Sequence, residues 1–194
     1  DGYFVSHADV LDDGWADVAA GLKLALWRDV ENQQLASAGF TYELPSGEWK
    51  ALQGNGAGEF NLFVDGGTEL LEGMHWLTHT GFRLPADRTQ ENQLWYWSNH
   101  LDQMLGNTGL YLFGETNWYH WMRDANGFPA AVGGLDIINL GGAGLAGRDV
   151  VTGALGVKYK PADNMEIGIA YEVPLTARQD ILKDRLGIDL IIRY

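Results

Sequence analysis

Residues Leu186-Gly187-Ile188-Asp189-Leu190-Ile191-Ile192-Arg193-Tyr194 decide the fold. Leu186, Ile188, Leu190, Ile192 and Tyr194 fall on one face of an extended chain; Gly187, Asp189, Ile191 and Arg193 fall on the other. Successive side chains of a β-strand point to opposite faces, so a period of two sustained to the end of the sequence predicts a strand with one apolar and one mainly polar face.

The same period recurs upstream. Ile167, Ile169, Tyr171 and Val173 oppose Glu166, Gly168, Ala170 and Glu172; Val151, Leu155, Val157 and Tyr159 oppose Thr152, Ala154, Lys158 and Lys160. Val18, Leu22, Leu24 and Leu26 oppose Asp17, Gly21 and Lys23, and Ala36, Ala38, Phe40, Tyr42 and Leu44 oppose Ser37, Gly39, Thr41 and Glu43. Phe60, Leu62 and Val64 oppose Glu59, Asn61 and Asp65; Trp76, Thr78, Thr80, Phe82 and Leu84 oppose His75, His79 and Arg83. The segments 94–105 and 110–121 alternate less cleanly, with Trp95 and Trp97 against Tyr96, Ser98, His100 and Asp102, and Leu110, Leu112 and Trp118 against Glu115 and Asn117. Nine strands result, each about 10–13 residues, the length of a tilted bilayer crossing.

The connections carry a second pattern. Short turns at 29–32, 71–73, 106–109 and 161–164 alternate with longer loops at 45–58, 85–93, 122–147 and 174–180. Tight turns at one end and long loops at the other are the plan of an up-and-down barrel, and a sandwich with Greek-key crossings has no reason to follow it. The expected fold is therefore all-β, a single up-and-down antiparallel transmembrane β-barrel over residues 1–194. The alternative is a soluble barrel, apolar inside and polar outside. Small and charged residues on the polar faces, and Trp and Tyr near the ends of the apolar ones, favour apolar-out.

Parity constrains the start. If the last strand runs toward the short turns, so does the first clear one, 16–28, and a closed bacterial barrel has an even number of strands. A strand running the other way must precede Trp15, and residues 3–10 are the candidate for its end. That gives about ten strands if this chain carries the whole barrel and about twelve if an N-terminal hairpin lies before it. The chain begins at Asp1 rather than Met, as a mature form or a fragment does.

Composition excludes several classes. Of 194 residues, 26 are acidic and 13 basic, a net charge of -13, which argues against a nucleic-acid partner. Without cysteine there are no disulfides, no thiolate chemistry and no Cys-ligated metal. Gly at 26, Trp at 8 and Tyr at 8 suit a curved β-structure. No apolar run reaches the roughly 18 residues of a transmembrane helix. A mean hydropathy of -0.17 is compatible with a membrane barrel, whose strands show lipid half their residues.

The final nine residues resemble the C-terminal signature of bacterial outer-membrane proteins: a terminal aromatic, here Tyr194 where Phe is usual, preceded by Ile192, Leu190, Ile188 and Leu186 at alternate positions. The resemblance implies the outer-membrane bilayer as surroundings and the barrel-assembly machinery as a partner. Gly14-Trp15-Ala16-Asp17-Val18, followed by Gly21-Leu22-Lys23, resembles a strand of the MetA-pathway phenol-degradation (transporter-like) barrel family. Phe40 to Gly47 resembles that family's strand end, with Ser46 in place of Thr in Leu44-Pro45-Ser46-Gly47, and the aromatic after Lys23 is missing. What this implies is outer-membrane transport and nothing sharper.

The candidate lumen residues are Asp17, Lys23, Glu43, Glu59, Asp65, Glu69, Arg83, Asp102, Glu115, Lys158, Lys160, Glu166, Glu172, Asp189 and Arg193, with His75, His79 and His100 on the same faces. An acidic, water-filled lumen would make a passive, weakly cation-selective channel for small solutes. The other reading is a filled lumen of paired charges, in a structural barrel whose outer loops bind a partner protein. A metal site would need a third ligand beside His79 and His100, with Asp102 or His75 to supply it; the expectation is no metal and no cofactor. An outer-membrane hydrolase would rest on Ser98 and His100 with no evident third member, so no catalytic residue is assigned. The loop 122–147, with its apolar run Leu135-Asp136-Ile137-Ile138-Asn139-Leu140, either folds into the pore, contacts a protein partner or belongs to strands that extend beyond the bilayer.

Overall fold

A computed structural model describes residues 3–4, 14–48 and 56–193. Tyr194, the aromatic of the terminal signature, lies outside the described residues, as do 5–13 and 49–55. Two short strands, β1 (Tyr3–Phe4) and β2 (Gly14–Trp15), pair with each other. The rest is one antiparallel sheet: β3 (Val18–Asp29), β4 (Gln34–Leu44), β5 (Glu59–Leu71), β6 (Met74–Pro85), β7 (Gln93–Met104), β8 (Leu110–Arg123), β9 (Asp149–Ala162), β10 (Met165–Pro174) and β11 (Arg185–Ile192). Each strand pairs with its neighbours in sequence, in the order β11-β10-β9-β8-β7-β6-β5-β4-β3. The nine strands of this sheet coincide with the nine expected from alternation, differing only at their ends.

The turns 30–33, 72–73, 105–109 and 163–164 lie at one end of the sheet, and the connections 86–92, 124–148 and 175–184, with the described residues 45–48 and 56–58, at the other. Asp29 shows why the first turn is tight. Its Oδ1 accepts from the backbone N–H of Glu31 and Asn32, both at 3.0 Å, in an Asx-type turn that frees the chain to reverse.

Side chains from β3 through β10, together with Arg193, surround a common cavity, so the sheet is curled with its polar face inside. The apolar face is uncovered. Leu155 is 76% exposed and Ile188 73%, and Leu22, Leu62, Phe82, Leu112 and Ile169 are also exposed. Indole N–H groups on this face are satisfied locally: Trp97 donates to Thr78 Oγ1 at 2.8 Å, Trp95 to Thr80 Oγ1 at 2.9 Å and Trp76 to Asn99 Oδ1 at 3.2 Å. An indole N–H away from water usually finds such a partner.

β11 and β3 are the two edges of the sheet, and no pairing joins them among the described residues. The two run in the same direction, so antiparallel closure requires an odd number of strands between them. Of the tenth strand expected from residues 3–10, only Tyr3–Phe4 is described, and it pairs with Gly14–Trp15; residues 5–10 lie outside the described residues.

Candidate functional site

The polar face divides into two cavities. The lower, toward the short turns, has a volume of about 730 Å³ and is lined by Lys23, Asp65, His75, His79, His100, Asp102, Glu115, Lys158, Lys160, Glu166 and Arg193, among others. The upper, toward the long loops, is about 520 Å³ and is lined by Asp17, Glu43, Glu59, Arg83, Glu91, Glu115, Asp136, Glu172 and Arg185, with several amides and tyrosines. His79, Ser98, Glu115 and Asn117 belong to both linings, so the cavities adjoin. Asp189 lines neither; it faces the same side, against Gly168 on β10.

In the lower cavity the register of β6, β7 and β8 builds a knot around Asp102. His75 lies opposite it on β6, and its Nδ1 is 2.7 Å from Asp102 Oδ1. Lys158 Nζ donates to Asp102 Oδ2 at 2.7 Å, and His100 Nε2 is 3.4 Å from the same oxygen. His100 Nδ1 is 2.7 Å from Glu115 Oε1. Glu166 takes Lys160 and Arg193 at 3.6 and 3.7 Å. A second group joins Lys23, His79 and Ser37 on Asp65, the lysine at 2.8 Å.

These contacts assign each lumen histidine its partners. His79 sits opposite Ser98 and bonds Asp65, while His100 is held between Glu115 and Asp102, so the two histidines have separate partners. Among the described residues no three His, Asp or Glu side chains are grouped to hold a metal ion. Both ring nitrogens of His100 face carboxylates, which leaves neither to take a proton from Ser98.

Loop 124–148 folds inward, and its residues Asp136, Ile137, Ile138 and Asn139 line the upper cavity. Leu135, Leu145 and Leu182 from the long connections pack with Leu94, Tyr96, Tyr119, Trp121 and Val150 into the buried apolar cluster of the protein. The backbone of Gly133 lies directly on the Trp121 indole, and Arg178 stacks 5.6 Å from the same ring. Asp180 holds the turn by accepting from Gly133 N at 2.9 Å and Gly134 N at 2.7 Å.

Polar latches tie the loop to the wall. Arg83 pairs through Nε with Glu59, and its Nη1 donates to the Leu135 carbonyl at 3.1 Å. Asn139 donates to Glu59 Oε2 at 2.7 Å and to the Asn92 carbonyl at 2.8 Å, and accepts from Asn92 N at 2.9 Å. Across the cavity Arg185 bonds Glu172 and, through Nη1 at 2.9 Å, Asp136 of the loop. Of the three arrangements expected for 122–147, the described residues adopt the first, inward folding.

Gly141 is where the latch is most exacting. Its φ is +67°, and a Cβ there would overlap the Gln90 carbonyl. Gly141→Ala combines left-handed strain, of order 1–3 kcal/mol, with that clash. It is expected to loosen loop 124–148 without unfolding the sheet, seen as faster proteolysis within the loop at unchanged folded-band migration.

Sequence reasoning did not single out Glu91, Asn92, Asn139, Asp180 or Arg185. All but Arg185 lie in loops, where no period marks a face. Glu91 is 4% exposed with its Oε2 unpartnered. Burial, then the charge of Glu59, pushes its carboxyl up to about 8, with Arg83 pulling the other way.

The fold resembles that of a porin. The solved structure of NanC porin matches with a TM-score of 0.61 at 12% identity, over 92% of this chain and 79% of that one. At that identity the likeness to NanC porin is one of fold alone, a porin-like all-β barrel architecture. The sequence matches no protein-family model and no curated protein.

Proposed function

We propose that this protein is a bacterial outer-membrane β-barrel and a passive channel for small solutes, with no catalytic role. The observation that carries the reading is the division of the sheet into an uncovered apolar face and a concave polar one that surrounds two adjoining cavities. A soluble barrel buries its apolar face; this one displays it on every strand, as a lipid-facing wall does. The likeness to NanC porin supports the same reading.

The residues named from the sequence take their roles accordingly. Asp17, Glu43, Glu59, Arg83 and Glu172 line the outer chamber; Lys23, Asp65, His79, His100, Asp102, Glu115, Lys158 and Arg193 line the inner one, and Asp189 faces the same side. Leu186, Ile188, Leu190 and Ile192 of β11, with Tyr194 two positions further along the sequence, make the terminal signal read by the assembly machinery. Loop 124–148 narrows the outer mouth. In the outer chamber, carboxylates outnumber the guanidinium groups of Arg83 and Arg185, while cations and carboxylates balance in the inner one. The expected preference is weakly for cations, set at the mouth.

Planar-bilayer recording of the full-length protein tests this. Discrete current steps and a reversal potential of cationic sign in a KCl gradient are expected. A folded, inserted protein that passes no current would overturn the channel and favour a structural barrel. A paired substitution tests the orientation of the wall. Ile169→Arg, on the apolar face, should cost about 2–4 kcal/mol of folding free energy in liposomes, whereas Ala170→Arg, on the polar face, should cost far less.

A further inference from the structure

The carboxylates of the outer chamber are unequally provided with donors. Glu59 takes Arg83 and Asn139, and Glu172 takes Arg185, Thr152 and Asn117. Glu43 and Glu91 line the same chamber, and no hydrogen bond reaches either side chain among the described residues. Glu91 is almost fully buried, and its Oε2 has no partner. A buried carboxylate without donors is costly, and such groups persist where a ligand supplies the missing hydrogen bonds. The arginines do not supply them: Arg83 bonds Glu59 and the Leu135 carbonyl, and Arg185 bonds Glu172 and Asp136.

We infer that the outer chamber is a binding site for a small organic ammonium ion, with Glu43 and Glu91 as its acceptors. The inference deepens the channel reading and rests on it for the route by which the solute arrives. A chamber of about 520 Å³ is in the range of small-molecule sites. Its acidic groups are not clustered for a metal ion, so a ligand with N–H donors on a carbon frame fits better than a bare cation. Glu91 holds a proton near neutral pH, its carboxyl raised to about 8 by burial and by Glu59, Glu43 and Asp17 against the pull of Arg83. An arriving ammonium favours the ionised carboxylate. Glu91 then gives its proton to bulk water and the ammonium keeps its own, so one proton leaves per cation bound.

Calorimetric titration of the folded full-length protein in detergent micelles tests this, with cadaverine as the probe and 1,5-pentanediol as its uncharged counterpart. Cadaverine should bind and the diol should not. Affinity should rise about tenfold per pH unit up to about pH 8, with proton release that follows buffer ionisation enthalpy. Glu91→Gln should weaken binding by about tenfold or more, the loss of a charge-assisted hydrogen bond. Glu43→Gln should weaken it too, and it carries the test if the Glu91 variant does not fold. No cadaverine binding at pH 8, equal binding of the diol, or affinity unchanged in both variants would overturn the site. Bilayer currents without cadaverine heat would remove the site and leave the channel; heat without currents would do the reverse.

Discussion

Arg83→Ala is expected to free loop 124–148 from the barrel wall and to raise single-channel conductance severalfold. Arg83 makes two of the contacts that hold the loop inward, the Glu59 pair and the bond to the Leu135 carbonyl. Removing it leaves Glu59 buried beside Glu43 and Glu91 with only Asn139 as a donor. Breaking a buried ion pair by deleting one partner costs about 3–5 kcal/mol. That strain falls on the latch rather than on the ladder of strand pairs, because Glu59 and Arg83 sit at the loop ends of β5 and β6. Single-channel recording in planar bilayers reads the result. Conductance equal to that of the unaltered protein would mean that the loop does not set the narrowest point.

Asp102→Asn should have the second largest effect, on ion selectivity. Asp102 is the anion on which His75, His100 and Lys158 converge, and it is almost fully buried. Without its charge Lys158 keeps Glu166, at 3.8 Å, as a carboxylate partner, and the face of Tyr111. The inner chamber then carries an excess positive charge, in a confined space where screening is weak. The reversal potential in a KCl gradient should move toward anion preference, and the folded barrel should lose about 3–5 kcal/mol in urea titrations in liposomes. A reversal potential that does not move would show that ions pass elsewhere.

Much of this is legible in the sequence, for a physical reason. On a sheet with one apolar and one polar face every strand residue must declare its side, so period two gives strand positions, facing and, with the short-long rhythm of connections, topology. Alternation places His75 and Asp102 on one face. It does not give their contact, which depends on the register across loop 86–92. The loops are where sequence reading fails. In the run 135–140 the apolar residues suggest insertion into the pore; Leu135 is indeed buried, but Ile137 is exposed, and the anchors are polar: the Leu135 carbonyl, Asp136 and Asn139. Glu91 reads as an ordinary loop carboxylate, and only the folded neighbourhood of Gly56, Glu59 and Arg83 makes it unusual. The terminal strand keeps its expected facing, yet as an edge of the sheet rather than as a visible seam with β3.

The central claim is that the apolar face meets lipid and the polar face meets water. The chain has no cysteine, so single cysteines can be placed at successive positions along β9 and labelled with an environment-sensitive fluorophore. In liposomes, labels at Val151, Gly153, Leu155 and Val157 should be blue-shifted and quenched by brominated acyl chains. Labels at Lys158 and Lys160, which line the inner chamber, should be quenched instead by aqueous iodide. The opposite parity, or quenching by iodide at every position, would contradict the account.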